Sequence, residues 1–176
     1  MPPKTLTAWS NSATGRAAVW LATGLGVGFV TPAPGTVAGL WGIGLAYLVD
    51  KAPNLEVQAA LIAALLLATV GICGIAARAM GDAEDPQPIT LDEITVLPIV
   101  FLGVGTLSWQ VVLAGFLLFR LFDVMKPGLV RHAEKLPGGW GIVADDVVAA
   151  GLAWAVLRGV LWIDRAAAWH WLAPSG

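Results

Sequence analysis

Charge is scarce in this 176-residue sequence: Asp, Glu, Lys and Arg make up 12% of it, about half of the roughly 25% in an average soluble domain. The single cysteine, Cys73, excludes an internal disulfide, and the two histidines form no cluster with it that would suit zinc or an iron–sulfur centre. The net charge of −2 leaves no strongly basic surface for nucleic acid. The rest is rich in hydrophobic residues, at 57%, with 21 glycines and nine tryptophans. This composition excludes a disordered chain and an ordinary water-soluble enzyme, and it indicates a polytopic membrane protein.

Uncharged apolar runs divide the chain into helices joined by polar loops. The clearest run, residues 57–77, has 21 residues and covers about 31 Å as a helix, enough to cross a bilayer core. Residues 94–119 contain Gly103, Gly105 and Ser108, so they form either one long kinked helix or a hairpin of two short ones. The other runs are 36–49, 147–163 and 17–30, the last suited to a short, re-entrant or interfacial helix.

The predicted fold is therefore an all-α, polytopic membrane helical bundle with short and in places re-entrant helices. It forms a single domain over residues 17–165, between an N-terminal tail (1–16) and a C-terminal tail (166–176).

The charged loops predict the orientation of this bundle. If 36–49 crosses outward, 57–77 returns, 94–119 is a hairpin and 147–163 crosses outward again, the loops rich in charge all meet on one side. The basic residues on that side are Lys4, Arg16, Arg78, Arg120, Lys126, Arg131 and Lys135. The other side carries Lys51 and Arg165, with Arg158 near a helix end. By the positive-inside rule the rich side is cytoplasmic, whereas a single crossing by 94–119 would split these loops across the membrane.

Acidic residues lie at the edges of the apolar runs. They are Asp82, Glu84 and Asp85, the pair Asp92-Glu93, the lone Asp123, and the pair Asp145-Asp146. Carboxylates at membrane level are costly, which makes them candidates for function. All of these residues fall on the same predicted face. Capping a helix requires one acid, whereas this sequence has two adjacent acids at each of two places. This pattern favours a shared cation site.

The acidic residues also have structural interpretations, each of which stays open at this point. Thr90 and Glu93 fit a capping box at the start of a helix. The pair at 145–146 suits a helix start, where acids interact favourably with the macrodipole. Asp123 lies three positions from a basic residue on either side, so ion pairs on a helix surface would account for it.

The ligand types narrow the kind of cation. Oxygen ligands without thiols or clustered histidines suit Mg²⁺, Mn²⁺ or Ca²⁺. Arg120, Lys126 and Arg131 on the same face suit an anion. A metal held by acids beside basic groups is typical of a site that handles phosphoryl groups. Basic residues at a cytoplasmic membrane surface also bind anionic lipid headgroups without any chemistry.

Four motifs, taken in their order and spacing, give the chain a resemblance to a known family. They are Gly24-x-Gly26-x-Gly28 leading to Ala33-Pro34-Gly35-Thr36, then Asp85-Pro86 followed by Asp92-Glu93, then Phe119-Arg120-Leu121-Phe122-Asp123 with Lys126-Pro127, and last Gly138-Gly139-x-Gly141-Ile142 with Asp145-Asp146. From about Gly24 to Gly151 the chain resembles the phosphatidylglycerophosphatase A family. Its members are bacterial membrane phosphatases that need Mg²⁺ and convert phosphatidylglycerophosphate to phosphatidylglycerol.

The resemblance implies a Mg²⁺-dependent hydrolase of phospholipid biosynthesis, multi-pass in the bacterial inner membrane, with its active site on the cytoplasmic side. Its implied partners are phosphatidylglycerophosphate and membrane lipids, with no nucleic acid. The residues expected to hold or orient Mg²⁺ are Asp92, Glu93, Asp123, Asp145 and Asp146, with Asp85 assisting. The residues expected to hold the phosphate are Arg120, Lys126 and Arg131, with Thr36 contacting it through its hydroxyl or backbone.

The mechanism and two other functions stay open from the sequence. Attack by water is favoured over a phosphorylated carboxylate, because Asp123 does not begin an Asp-x-Asp-x-[Thr/Val] motif. A cation-handling transporter would use the same carboxylates but would need them deep within helices, whereas here they lie at run boundaries. A membrane scaffold without chemistry is the third possibility. The oligomeric state and the choice among related lipid monophosphates stay open.

Overall fold

The computed structural model describes residues 12–30, 33–81, 88–169 and 171–172. In this part of the chain it contains helices and no strand, which confirms the all-α prediction. The helices are α1 (Ala13–Ala22), α2 (Val27–Val30), α3 (Pro34–Asp50), α4 (Leu55–Ala79), α5 (Leu91–Phe101), α6 (Trp109–Met125), α7 (Gly128–Ala133) and α8 (Gly139–Ala166).

Side-chain caps and a glycine-rich break fix several helix boundaries. Asn54 accepts a hydrogen bond from the Val57 amide at the start of α4, and Ser108 caps α6 through the Val111 amide. Residues 102–108 are not helical, and Gly103 and Gly105 both have positive φ (65° and 92°), which a residue with a side chain rarely adopts. The apolar run 94–119 is therefore a hairpin of two helices rather than one kinked helix.

Two helices are long and apolar enough to cross a membrane among the described residues, namely α4 with 25 residues and α8 with 28. They measure about 37 and 42 Å, against about 30 Å for a bilayer core. The shorter α6 exposes an apolar stripe of Trp109, Leu113, Leu117 and Leu121, spaced every fourth residue along one face. Such exposed apolar faces indicate membrane association. The number of crossings and the sidedness stay predictions.

The larger helices alternate in direction, which gives the bundle two distinct ends. At one end α3, α5 and α8 begin and α4 and α6 terminate. Gly35 of α3 lies against Glu93 of α5, and Gly74 of α4 lies against Gly139 of α8. We call this the acidic end, because the predicted site residues Asp92, Glu93, Asp123, Asp145 and Asp146 lie there. The far end consists of residues 47–56, 102–109, 158–169 and 171–172.

Small residues let the helices pack closely enough to form these ends. A side chain on Gly39 would collide with the Phe116 ring of α6, and one on Gly42 would meet the Ile94 carbonyl of α5 at 2.9 Å. The core between the helices contains the fully buried Leu97, Phe119 and Leu157. Close packing of this kind, through small residues, is a common way for helices to associate in membranes.

Candidate active site

A small polar cavity lies at the acidic end of the bundle. Its volume is about 120 Å³, and six of its eight lining residues are charged. The lining residues are Ile89, Asp92, Glu93, Asp123, Lys126, Ile142, Asp145 and Asp146. The cavity therefore brings together all five carboxylates that the sequence predicts in the described part of the chain, with one of the predicted basic residues.

The start of α5 supplies the first acidic pair. Thr90 precedes the helix, but its hydroxyl makes no capping hydrogen bond and is buried at the turn that contains Gly24. The Glu93 carboxylate bonds to Arg120 of α6 instead of returning to its own helix start. The helix thus starts where the capping box predicts, with Thr90 as N-cap and Glu93 as the third helical residue, but the hydroxyl bond of the box is not formed and the Thr90 amide donates to the Ala22 carbonyl instead. Asp92 fills part of that role, because its Oδ1 accepts a hydrogen bond from the Glu93 amide at 2.9 Å.

The second acidic pair lies inside α8 rather than at its start. The helix begins at Gly139, six residues before Asp145, so the interpretation of this pair as a cap is wrong. The chain turns into α8 at Gly138, whose positive φ (61°) suits glycine, and Gly139 then packs so closely on α4 that a side chain there would collide with the Val70 carbonyl. Asp145 and Asp146 then lie in the second turn and are 7% and 5% exposed.

The end of α6 supplies the fifth carboxylate and a basic partner. Arg120 Nη1 lies 2.8 Å from Glu93 Oε2 and 2.9 Å from Asp123 Oδ2. The surface ion pair expected between Asp123 and its basic neighbour is thus formed with Arg120, three residues earlier. The guanidinium also joins α6 to the first turn of α5, so it fixes the two walls of the cavity relative to each other.

Lys126 is the C-cap of α6 and has an unusual backbone conformation. It adopts a left-handed conformation (φ 41°) that ends α6 just before Pro127. Its Nζ lies 3.0 Å from Asp145 Oδ2 and 3.1 Å from Glu134 Oε1. Burial alone would lower the pKa of Lys126, but the bonds to these two carboxylates outweigh it and hold the pKa well above its usual value. Lys126 therefore carries a full positive charge at the mouth of the cavity at physiological pH.

Carboxylates outnumber basic groups along the cavity wall. Of the six charged residues that line it, five are carboxylates and one is the basic Lys126, while Arg120 bonds to Glu93 and Asp123 from beside the cavity. Asp146 is repelled by the other four carboxylates, Asp123 among them. A shared proton or a bound cation reduces such repulsion.

The donor atoms suit a hard cation, although no complete ligand set is preformed. Every acidic group that lines the cavity offers oxygen, the donor type that Mg²⁺ and Ca²⁺ prefer. Among the described residues no three His, Cys, Asp or Glu side chains already surround a single point. Mg²⁺ usually takes only one or two carboxylates and completes its shell with water and phosphate.

The remaining predicted residues either do not line this cavity or fall outside the described part of the chain. Thr36 is exposed in the first turn of α3 and does not line the cavity, although its neighbour Gly35 touches the Glu93 carboxylate. Arg131 is exposed on α7 and does not line it either. Asp85 falls outside the described residues. The roles assigned to all these residues stay predictions.

Two contributors escaped the sequence analysis. Glu134 shares Lys126 with Asp145, and nothing in the sequence marks it, since it is one more acid in a charged loop. Gly35 matters because a Cβ there would collide with the Glu93 carboxylate. Its place in the Ala33-Pro34-Gly35-Thr36 motif was the only available signal.

Fold and site together define a membrane-associated helical protein with a carboxylate-rich polar cavity. The phosphatidylglycerophosphatase A family matches residues 20–161, most of the chain. The protein therefore belongs to the phosphatidylglycerophosphatase A family, and it is a phosphatase.

Individual relatives agree with this placement. A Haemophilus influenzae protein named phosphatidylglycerophosphatase A is 38% identical, over 74% of this chain and 80% of its own. An Escherichia coli protein of the same name is 33% identical, over 78% of this chain and 79% of its own. A Bacteroides thetaiotaomicron protein provisionally named a phosphatidylinositol-3-phosphatase is also 33% identical, over 82% of this chain and 94% of its own. No solved structure is significantly similar to the chain.

Proposed function

We propose that this protein removes the terminal phosphate of phosphatidylglycerophosphate, giving phosphatidylglycerol, in a Mg²⁺-dependent step of phospholipid biosynthesis. The family and the names of two relatives support the substrate. The observation that carries the proposal is the cavity of five carboxylates with Lys126 and Arg120 beside it, at the end of an apolar bundle. Acids that hold a cation next to basic groups that hold an anion are the components of phosphoryl transfer.

The carboxylates are the proposed ligands of Mg²⁺. Asp123 and Asp146 are the central pair, because both line the cavity and their carboxylates repel each other when ionised, which a cation would relieve. Asp92, Glu93 and Asp145 would hold waters of the cation or orient the first pair. Bound Mg²⁺ supplies neutralisation of the phosphate charge and a lowered pKa for water.

Arg120 and Lys126 are the proposed phosphate-binding groups. Each is already held in place by carboxylates, Arg120 by Glu93 and Asp123, and Lys126 by Asp145 and Glu134. Held in this way, their N–H groups keep a fixed direction as charge develops on the phosphate oxygens in the transition state. A water oxygen forms the new bond to phosphorus, the glycerol oxygen leaves and takes up a proton, and inorganic phosphate is released. Arg131 and Thr36 would contact the headgroup only at the rim.

The proposed location is the bacterial inner membrane, with several crossings and the cavity on the cytoplasmic side. Two spanning-length helices, α4 and α8, and the exposed apolar stripe of α6 support membrane insertion. The excess of Lys and Arg on the loops at the acidic end supports the cytoplasmic side.

Phosphate release in mixed micelles tests this function directly. The purified protein would be given phosphatidylglycerophosphate, phosphatidic acid or phosphatidylinositol 3-phosphate, each with Mg²⁺ and with EDTA. We expect release that needs Mg²⁺ and is fastest from phosphatidylglycerophosphate. Preference for phosphatidylinositol 3-phosphate would transfer the assignment to the chemistry named for the Bacteroides relative. No release from any lipid by folded protein, with cation uptake into liposomes, would favour a cation-handling transporter.

A further inference from the structure

A second, much larger cavity lies beside the acidic one, and its lining is apolar instead of charged. It is a groove of about 910 Å³, and none of the twelve residues that line it carries a charge. α3 forms its floor over 37–48, α5 contributes Leu91 and Ile94, and residues 21–27 form its other wall. Leu40 and Trp41 in the groove are 63% and 61% exposed, so the groove is open at the surface of the bundle.

One turn of helix separates this groove from the acidic cavity. At the start of α5, Leu91 and Ile94 line the groove while Asp92 and Glu93 line the acidic cavity. Successive residues of a helix point about 100° apart, so a single turn presents two residues to each space. A molecule with a charged head and an apolar tail could therefore place its head in the acidic cavity and its tail in the groove, on either side of this one turn.

The groove also has the length of one lipid leaflet. From Val37 to Leu48 it follows α3 for eleven residues, about 17 Å. The hydrocarbon core of a bilayer is about 30 Å thick, so one leaflet contributes about 15 Å. The end at Val37 lies two residues from Gly35, which touches the Glu93 carboxylate. The groove thus starts at the level of the acidic cavity and extends to about the middle of the bilayer.

We propose that this groove binds the acyl chains of the phospholipid whose phosphate enters the acidic cavity. The inference rests on the proposed function, and it assigns the acyl chains of that lipid to one groove of the bundle, bound while the lipid is still in its leaflet. The closeness of the acidic cavity, one helical turn away, favours a lipid over a second copy of the chain, because only an occupant with a headgroup uses both spaces.

Gly44 is a position from which a side chain can enter the groove. A Cβ built there meets no atom within 4 Å, and Gly44 lines the groove. Gly71 of α4 is the matched control, since a Cβ there also meets nothing within 4 Å and it lies outside the groove. Both substitutions replace glycine within a helix, so both favour the helical state.

Gly44→Phe should lower kcat/KM for long-chain phosphatidylglycerophosphate by at least about tenfold, because excluding even two methylene groups from an apolar site costs that much. Its kcat/KM for a dibutyryl analogue, with chains too short to reach Gly44, should stay within about twofold of the wild type. Gly71→Phe should change neither value. Equal effects of the two variants, or equal loss on the long-chain and short-chain lipids, would overturn the inference while leaving the phosphatase activity established.

A photolabel tests the groove without relying on turnover. Phosphatidylglycerophosphate with a diazirine in one acyl chain would be cross-linked to the wild-type protein, and labelled peptides would be mapped by mass spectrometry. We expect labelling within 37–48 that excess unlabelled lipid removes, and labelling at the exposed Leu61 and Leu67 of α4 that it does not remove. Competed labelling in a protein that releases no phosphate would sustain the groove and reject the proposed function. Equal and uncompeted labelling on both helices, or cross-linked dimers through α3, would overturn the inference.

Discussion

The two ends of the helical bundle use polar side chains in opposite ways. At the far end, polar side chains bond to backbone groups of the connections. Tyr47 donates to the Leu107 carbonyl at 2.9 Å, Trp154 donates to the Leu102 carbonyl at 2.9 Å, and Asp164 accepts from the Trp171 and Leu172 amides. At the acidic end the side chains mainly face each other.

This difference separates the polar side chains that support the fold from those assigned to the reaction. A backbone group buried away from water must find a partner, and at the far end side chains provide it for the ends of helices and the hairpin loop. At the acidic end five carboxylates line one small cavity, an arrangement that costs stability unless positive charge compensates it. The proposed cation would supply such charge. Substitutions at the two ends should therefore separate stability from activity.

Asp146→Asn should have the largest effect. Loss of a proposed Mg²⁺ ligand should lower kcat by about a hundredfold or more, the scale seen when one preorganised electrostatic group is removed from an active site. The melting temperature should stay the same or rise, because four other carboxylates repel Asp146. Phosphate release and thermal unfolding, measured on the same preparation, check both.

Asp50→Asn is the matched control for this variant, since Asp50 ends α3 at the far end and lies outside the cavity. It should keep full activity. Asp146→Asn with more than half of the wild-type activity would contradict the assignment of the acidic end as the active site.

Gly35→Ala should have the next largest effect, because Gly35 packs directly against an acidic residue of the cavity. The added methyl group would collide with the Glu93 carboxylate and move it away from Arg120. We expect kcat/KM to fall about 10–100-fold, the usual cost of disturbing a group that orients a metal ligand. Gly71→Ala on α4 is the matched control, since an added Cβ there meets no atom within 4 Å and Gly71 lines neither cavity, so it should keep full activity and gain a little stability. Equal activity in the two variants would indicate that the position of Glu93 does not matter.

The sequence was most informative for those features that depend on local pattern. It limited 94–119 to one kinked helix or a hairpin, and the structure decides for the hairpin, because Gly103 and Gly105 take the positive φ that a turn requires. The meeting of acidic residues from α5, α6 and α8 follows from helices that alternate in direction. Both depend on chain order and residue type, which a sequence contains.

The features that were predicted wrongly depend on contacts between distant segments. α8 starts at Gly139, which packs on Val70 of α4 too closely for a side chain, and the acidic pair therefore lies inside the helix instead of capping it. Glu93 forms its ion pair with α6 instead of a capping box, because Arg120 lies 2.8 Å away in the folded chain. No local pattern at positions 90 or 139 reports these neighbours.

Asp164→Ala should produce the opposite phenotype to Asp146→Asn. It removes the acceptor for the Trp171 and Leu172 amides and should cost about 1–3 kcal/mol of stability. For a chain of this size each kcal/mol lowers the melting temperature by about 2–4 °C. Activity per folded molecule should be unchanged at a temperature well below unfolding. A selective loss of kcat in fully folded protein would show that the far end takes part in the reaction.

Tyr47→Phe should have the smallest effect and gives the finest test of the separation between the ends. The variant keeps the ring and deletes only the hydroxyl that bonds to the Leu107 carbonyl. We expect a loss of about 0.5–1.5 kcal/mol of stability, with kcat and KM unchanged on both long-chain and short-chain lipids. Tyr47 belongs to α3, and the other end of this helix touches Glu93. A shift of α3 would therefore move a residue that contacts the active site. Altered kinetics in this variant would therefore mean that α3 couples the ends, whereas a change in melting temperature alone would mean that the far end only supports the fold.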